Sequence, residues 1–254
     1  MASITDETSG WYEVEHNFHT LLCASVSTDR LLVKTPTSEI SGSLDSMRIC
    51  AQLKNSSIDI QLKAVGHPLY NKGSGRFDLL GMDVYQYSLP TLETTGRLIV
   101  KGKEFPASGM SWFDRQWQNQ SLGAPKGRWT WMDLNLGNGW AVSLWDAQDV
   151  DGKTDGWITV IDKSGKHWVV NLAPLSEAAD EHWLSAQSGY KYPTRWKVNV
   201  PALDMLLEVV ASPREQEING LSPRYEGASI ITGIIGGEKV TGHCYVEMVG
   251  DWKA

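Results

Sequence analysis

Short runs of alternating apolar and polar residues recur along most of the chain. The alternation is clearest from Ser57 to Lys63, where Ile58, Ile60 and Leu62 alternate with charged and amide side chains. Successive side chains of an extended strand point to opposite faces, so this pattern predicts half-buried β-strands. Runs of the same kind include MRICAQL, GRLIVKGKEF, WTWMDLNL, GWAVSLWDA, GWITVIDK, TRWKVNV, LDMLLEVVA, ASIITGIIG and HCYVEMVG. The chain is therefore predicted to be an all-β protein.

Glycine-containing turns separate several of these runs, as tight antiparallel hairpins require. They are Gly137–Gly139, Asp151–Gly152, Ser164–Gly165 and Gly236–Gly237. One short helix is predicted between Leu175 and Ser185, where Ser176 is a suitable N-cap and acidic residues follow in the first turns. A boundary between two sheets is predicted near Pro106–Gly109, because the residues there favour a loop.

Composition and charge narrow the classes of partner. The 254 residues are 41% hydrophobic and 21% charged, which is typical of a globular protein, and the net charge is -7. An acidic chain is not attracted to nucleic acid or to an anionic membrane surface, so neither partner is predicted. The N-terminus MASITDETSG lacks the features of a signal peptide and no membrane span is found, so a cytoplasmic location is expected.

Residues with familiar chemistry are scattered. Cys23, Cys50 and Cys244 are too few and too far apart for a disulfide framework or a zinc site. The chain contains no Gly-x-Ser-x-Gly elbow, no phosphate-binding glycine loop with lysine, no His-Glu-x-x-His and no Cys-x-x-Cys. No metal and no organic cofactor is therefore predicted, and the six histidines are interpreted as structural or surface residues.

Tryptophan is the compositional anomaly, with 12 Trp against 4 Phe, and all but Trp11 lie from Trp112 onward. An indole ring fills a core or lines a pocket for a flat apolar ligand with equal ease, and core packing is the commoner role. The segment GMSWFDRQWQ at residues 109–118 places Asp114 among such rings. A carboxyl group desolvated there can donate a proton near neutral pH, and it can equally make a purely structural contact.

This segment and its surroundings carry a resemblance to a known family. YSLPTLETTGRLIVKGKEFPASGMSWFDRQWQ, followed by WTWMDLNLGNGWAVSLWDAQ, SPRYEGASIITG and GHCYVEMVGDW, resembles the carotenoid 1,2-hydratase and AttH-like family of lipocalin-like proteins. The Asp-Arg-Gln-Trp form is closest to the branch that contains lipocalin-like Diels–Alderases. The resemblance covers the chain from about residue 57 to the end.

The resemblance implies two lipocalin-like domains and a pocket for an apolar small molecule. Residues 1–108 are expected to form an N-terminal β-sandwich and residues 109–254 a C-terminal β-barrel, with the pocket between them or in the barrel mouth. The expected ligand is a polyene, polyketide or isoprenoid. The oligomeric state is left open.

Three activities are compatible with that pocket, and the first is favoured. A cofactor-independent cyclase of the Diels–Alderase kind folds a polyene into a reactive conformer. A hydratase or isomerase protonates an alkene carbon with Asp114. A third reading is a non-catalytic binder, since a fold does not fix a function. The candidate catalytic residues are Asp114, Gln116 and Tyr87, and the candidate substrate-binding residues are Trp112, Trp117, Trp129, Trp131, Trp140, Trp145 and Glu247.

Overall fold

The structure, a computed structural model, describes residues 1–118, 127–175, 179–220 and 222–253. These ranges contain β-strands and three-residue 3-10 helices and no α-helix, which confirms the all-β prediction. The strands are β1 (Ala2–Asp6), β2 (Trp11–Glu15), β3 (Ser25–Val26), β4 (Leu31–Lys34), β5 (Ser38–Ser43), β6 (Ser46–Gln52), β7 (Ser56–Ala64), β8 (Leu69–Tyr70), β9 (Arg76–Leu79), β10 (Met82–Val100), β11 (Lys103–Gln118), β12 (Gly127–Leu136), β13 (Ala141–Asp149), β14 (Thr154–Ile161), β15 (His167–Asn171), β16 (Ala179–Leu184), β17 (Lys191–Val200), β18 (Met205–Ala211), β19 (Glu217–Ile218), β20 (Arg224–Ile235) and β21 (Glu238–Val249). The 3-10 helices are Leu21–Cys23, Asn71–Gly73 and Pro201–Leu203.

The four predicted hairpin turns are confirmed, because each lies between two strands that pair antiparallel. Gly139, Gly152, Gly165 and Gly237 have φ angles between 82° and 84°, the left-handed region that glycine enters without steric cost. The three cysteines are free thiols. No helix in the part of the chain that the structure describes is long and apolar enough to cross a membrane.

The predicted helix between Leu175 and Ser185 is wrong where the structure describes it. Ala179–Leu184 is strand β16, while residues 176–178 lie outside the described ranges. The acidic residues that suggested a helix start instead pair across to β17. Asp180 lies 2.7 Å from Lys197 and Glu181 3.0 Å from Arg195. Cross-strand pairing therefore outweighs the local capping signal.

The chain divides into two compact units. Unit 1 contains residues 1–4, 12–67 and 89–113, and unit 2 contains residues 5–11, 68–88 and 114–254. In unit 1 the strands β3 to β7 form an antiparallel meander, and β7 pairs with the second half of β10 from Leu92 to Val100. Its buried side chains include Met47, Leu62 and Leu92. The predicted boundary between residues 108 and 109 stays a prediction.

Unit 2 is built on a second, ten-stranded antiparallel sheet. Its path runs β15-β14-β13-β12-β21-β20-β18-β17-β16, and β19 pairs with β20. Residues from β12, β13 and β14 share one buried cluster with residues from β17 and β18, so the sheet curls around its own core as a half-barrel. Trp196, Tyr192 and Tyr225 lie in this cluster and are fully buried. The concave side is therefore occupied by the protein's own side chains.

The strands of the half-barrel are buried on both faces. Met132 and Leu134 of β12 and Val142 and Leu144 of β13 belong to the core cluster. The residues between them in sequence point to the opposite face, because side chains alternate along a strand. Every residue of β13 from Ala141 to Ala147 is buried, so this second face is covered as well.

Candidate active site on the aromatic face

A row of large side chains crosses five strands on the convex side of the half-barrel. Trp157 of β14 lies opposite Trp145 of β13, and Trp145 lies opposite Trp131 of β12. Trp131 is also opposite Glu247 of β21, which is in turn opposite Glu226 of β20. Directly opposed residues in antiparallel strands share a face. Three indoles and two carboxyl groups therefore lie in one line.

The rows on either side add residues to the same surface. One neighbouring row contains Thr159, Ser143, Asp133 and Tyr245, and the other contains Trp129. We define the aromatic face by these residues together: Trp129, Trp131, Asp133, Ser143, Trp145, Trp157, Thr159, Glu226, Tyr245 and Glu247. Three carboxyl groups among four tryptophans make this surface chemically distinct from the core cluster behind it, whose members are hydrophobic.

The indoles at one end pack against each other and are covered. The ring centroids of Trp145 and Trp157 are 5.9 Å apart with nearly parallel planes, and Trp131 lies 6.3 Å from Trp145. Phe77 packs on Trp145 and on Trp157, with ring-centroid distances of 5.4 Å and 5.2 Å. The Nζ atom of Lys72 is 3.9 Å from the centroid of Trp157. Residues 68–88 of unit 2 therefore close this end of the aromatic face.

Two indole N–H groups at the other end are held by polar partners on the face. Trp129 Nε1 donates to Glu247 Oε1 at 2.9 Å, and Trp131 Nε1 donates to Ser143 Oγ at 3.1 Å. A buried indole usually finds such an acceptor, and the bond fixes the ring's orientation. These two rings are therefore held in place rather than free to rotate.

Asp133 is a buried carboxyl group in the middle of the aromatic face. Its side chain is 8% exposed, and Oδ1 accepts a hydrogen bond from the Tyr245 amide at 2.5 Å. Burial raises the pKa of Asp133 to about 8, and the nearby Asp114 carboxylate acts in the same direction. Asp133 is therefore a neutral carboxylic acid at pH 7, able to donate a proton.

Asp114, the residue singled out from the sequence, lies near the end of β11 and is half-buried. It accepts a hydrogen bond from the hydroxyl of Ser88, which is fully buried on β10. The negative charge of Asp114 raises the pKa of Asp133, so the two carboxyl groups interact. When two carboxyl groups lie close together, ionisation of one disfavours ionisation of the other, which adds to the effect of burial on Asp133.

Glu226 is the third buried carboxyl group, 6% exposed. Burial raises the pKa of Glu226, and the carboxylate of Glu247 opposite raises it further. Arg224 lies 2.9 Å from Glu226 Oε1 and acts in the opposite direction. The aromatic face therefore contains a second buried carboxyl group with a raised pKa.

The other candidates on β10 and β11 are more open. Trp117 is 51% exposed and stacks on Tyr85 at 5.7 Å, with Tyr87 edge-on to it at 6.3 Å. Gln116 is exposed, and Trp112 is half-buried and belongs to unit 1. The catalytic roles predicted for Gln116 and Tyr87 stay predictions.

The structure brings Trp129, Trp131, Trp145 and Glu247 together on the aromatic face and leaves Trp140 off it. Trp140 stacks on Trp168 at 5.3 Å and packs against the core cluster on the other side of the sheet.

Two acidic residues of the aromatic face, Asp133 and Glu226, were not among the residues predicted from the sequence. For Asp133 a signal exists, because Trp129, Trp131 and Asp133 are spaced by two along one strand and must share a face. For Glu226 the sequence offers none, since its place opposite Glu247 depends on how two strands pair.

The half-barrel sheet and the carboxyl groups set in its tryptophan-lined face define an all-β protein of lipocalin-like architecture. The chain belongs to the AttH-like family, whose model matches residues 1–251. This confirms the resemblance drawn from the motifs. A solved relative supports the fold: a putative AttH from Nitrosomonas europaea superimposes with a TM-score of 0.77 at 20% identity, covering 96% of this chain and 78% of that one.

Two curated relatives are named for the addition or removal of water. Dehydratase asqC of Emericella nidulans is 29% identical over 220 residues, which cover 80% of this chain and 61% of that protein. Kievitone hydratase of Fusarium solani subsp. phaseoli is 25% identical over 221 residues, which cover 83% of this chain and 62% of that protein. The chain thus spans less than two thirds of the length of either relative.

Proposed function

We propose that the aromatic face adds water to, or removes it from, an apolar small molecule, with Asp133 as the proton donor. The observation that carries this proposal is a buried carboxyl group whose pKa is raised to about 8, on the same face of β12 as the indoles of Trp129 and Trp131. Such a group is protonated at neutral pH, and neighbouring aromatic faces favour a developing cation. Both features are what alkene hydration and its reverse require.

In the direction of hydration, the O–H bond of Asp133 breaks as a C–H bond forms at one alkene carbon. The electron deficiency left at the other carbon is stabilised by the faces of Trp131 and Trp129, and water then adds there and loses a proton. Dehydration is the reverse of these steps: the hydroxyl group takes up a proton and leaves as water, and the carboxylate of Asp133 accepts the proton of the neighbouring carbon. The charge that remains on Asp133 is opposed by Asp114, which favours the return of a proton.

The names of the two relatives support water chemistry over cyclisation. Both proteins carry names that describe hydro-lyase reactions, a hydratase and a dehydratase. Cyclisation, the activity favoured by the motifs alone, has no corresponding observation on the aromatic face. Cyclisation stays a prediction. The mass of the product distinguishes it from hydration, because cyclisation leaves the mass unchanged and hydration adds one water.

The test uses kievitone as the probe, incubated with the protein in D₂O and analysed by mass spectrometry. After return to H₂O, which exchanges deuterium bound to oxygen, we expect a product heavier than the probe by one H₂O and by the additional mass of one deuterium retained on carbon. Asp133→Asn is expected to lower kcat by about 10²-fold or more, because an amide cannot supply the proton. Asp151→Asn, at an exposed turn of unit 2, is the matched control and is expected to match the wild type.

Three outcomes count against hydration by Asp133. A product with the mass of the probe supports a cyclase or isomerase. Binding of the probe without turnover, detected by tryptophan fluorescence, supports a binder. Full activity of Asp133→Asn would show that another residue donates the proton. Asp114→Asn then tests Asp114, the proton donor predicted from the sequence.

A further inference from the structure

Two glutamates meet directly across strands β20 and β21. Glu226 and Glu247 are opposite each other in the register, and directly opposed residues have Cβ atoms about 4.5–5.5 Å apart. Two ionised carboxylates at that separation repel each other, and the repulsion is strong where water is excluded. Glu226 is 6% exposed, so solvent does not relieve it.

Besides each other, the two glutamates have one cationic partner and one neutral donor, a set that balances one negative charge. Arg224 Nε contacts Glu226 Oε1 at 2.9 Å, and Trp129 Nε1 donates to Glu247 Oε1 at 2.9 Å. Among the described residues, the charged groups that act on Glu226 are Glu247 and Arg224. Burial favours the neutral form of Glu226, which can then donate a hydrogen bond to the carboxylate opposite. A single proton held between the two carboxyl groups satisfies both.

The pair lies next to Asp133 on the same surface. Glu247 is opposite Trp131, and Asp133 is two residues further along β12 than Trp131. Glu247 and Asp133 are therefore diagonal neighbours whose backbones are about 7–8 Å apart, so both carboxyl groups belong to the same part of this surface.

We propose that Glu226 and Glu247 share one proton and act as a second acid–base group on the aromatic face, with Glu247 as the base toward water. The catalytic part of this inference rests on the proposed hydration, whereas the shared proton does not. As the water oxygen bonds to the electron-deficient carbon, one O–H bond of water breaks and its proton passes to Glu247. That proton then leaves to solvent, and Asp133 regains one from solvent, so each turnover consumes one water and no net proton.

The first experiment detects the shared proton without any substrate. Carbon-13 NMR of protein labelled at the glutamate carboxyl carbons follows each group as the pH is raised. We expect the Glu226 resonance to titrate well above the other glutamates, and to move toward them in Glu247→Gln because the opposing charge is gone. Ordinary titration of Glu226 in the wild type overturns the proposal.

The second experiment tests the catalytic role with the kievitone assay in D₂O. Glu247→Gln retains an acceptor for Trp129 and is expected to lower kcat by about 10²-fold with KM little changed. Glu226→Gln imitates the protonated partner and is expected to lower kcat less than tenfold. Glu238→Gln, exposed on the same strand β21, is the control.

The outcomes separate the two proposals. A shared proton seen by NMR together with full activity of Glu247→Gln overturns the catalytic role of the pair and leaves hydration by Asp133 standing. A product without added water overturns the proposed function, while the NMR result still decides whether the proton is shared. The native tryptophan fluorescence spectrum checks that Glu247→Gln is folded. If that spectrum is lost, Glu247→Asp is used instead, because it keeps the charge on a shorter side chain. Full activity of Glu247→Asp also counts against the role.

Discussion

Asp133 shows how much one residue's chemistry depends on its surroundings. The carboxyl group has an ordinary pKa of 3.8 in an exposed setting and one of about 8 in the fold, because water is excluded around it. Within the described ranges, Asp133 accepts a hydrogen bond from the backbone of Tyr245, which by itself lowers the pKa. Burial therefore outweighs hydrogen bonding at this position.

The raised pKa of Asp133 predicts that the free energy of unfolding depends on pH. Between pH 4 and pH 8 the folded chain holds this proton more tightly than the unfolded chain does, so raising the pH through that window favours unfolding. We expect the free energy of unfolding of the wild type to fall between pH 6 and pH 8.5. In Asp133→Asn this decrease is expected to be smaller by about one to a few kcal/mol. Melting temperatures at the two pH values measure it.

A smaller residual slope is expected in Asp133→Asn, because the pKa of Glu226 is raised by burial in the same way. Asp133→Asn with the same pH dependence as the wild type would show that Asp133 is ionised in the fold. Its role as proton donor would then fail with it.

At the scale of elements, residues 68–88 shape the aromatic face as much as the strands do. Phe77 of β9 packs on Trp145 and Trp157, and the amide of Lys72 donates to Thr159 Oγ1 at 3.0 Å. Lys72 has a φ of 50°, unusual for a residue with a side chain, and its Nζ also contacts Asp155 at 3.1 Å. Exposed ion pairs contribute little, so the aromatic contacts of Phe77 are the main attachment.

Phe77→Ala is predicted to loosen this covering segment. Phe77 is 4% exposed, and its truncation removes contacts with two indoles and leaves a cavity beside them. We expect a loss of about 3–5 kcal/mol in the free energy of unfolding. Hydrogen exchange of residues 68–81 is expected to accelerate in the same variant.

Phe18→Ala is the matched control, because Phe18 is 93% exposed and its removal is expected to change stability by less than about 0.5 kcal/mol. Unchanged exchange of residues 68–81 in Phe77→Ala would mean that the hydrogen bond from Lys72 and the neighbouring contacts hold the segment instead.

At the scale of the whole molecule, the two faces of one sheet have different roles. The concave side is filled by the core cluster, which includes Trp196, Tyr192 and Tyr225. The convex side carries the carboxyl groups and the indoles of Trp129 and Trp131. We propose that a ligand binds at the aromatic face, where the carboxyl groups lie, rather than inside the half-barrel.

Two tryptophan substitutions separate these roles. Trp131→Phe is expected to weaken binding of the probe by about three- to tenfold, since it removes indole surface and the bond that orients it. Trp196→Phe is expected to leave binding unchanged and to cost roughly 1–3 kcal/mol of stability, because Trp196 is fully buried in the core. Fluorescence titration and chemical denaturation measure the two effects. The reverse result would place the ligand inside the half-barrel.

The sequence by itself determined the local structure and the family. Alternation such as that from Ser57 to Lys63 and glycine turns such as Gly236–Gly237 encode strands and hairpins, because they act through a few neighbouring residues. The spacing of Trp129, Trp131 and Asp133 likewise places them on one face before any partner strand is known. Linked motifs in the right order were enough to indicate the AttH-like family.

Only the tertiary structure decided which side chains meet and what their chemistry becomes. The row from Trp157 to Glu226 depends on the register of five strands, some separated by about a hundred residues, and a shift of one residue would turn each side chain to the other face. Strand pairing also made residues 179–184 a strand and left Trp140 off the aromatic face. Burial, which no local pattern records, raised the pKa of Asp133 to about 8.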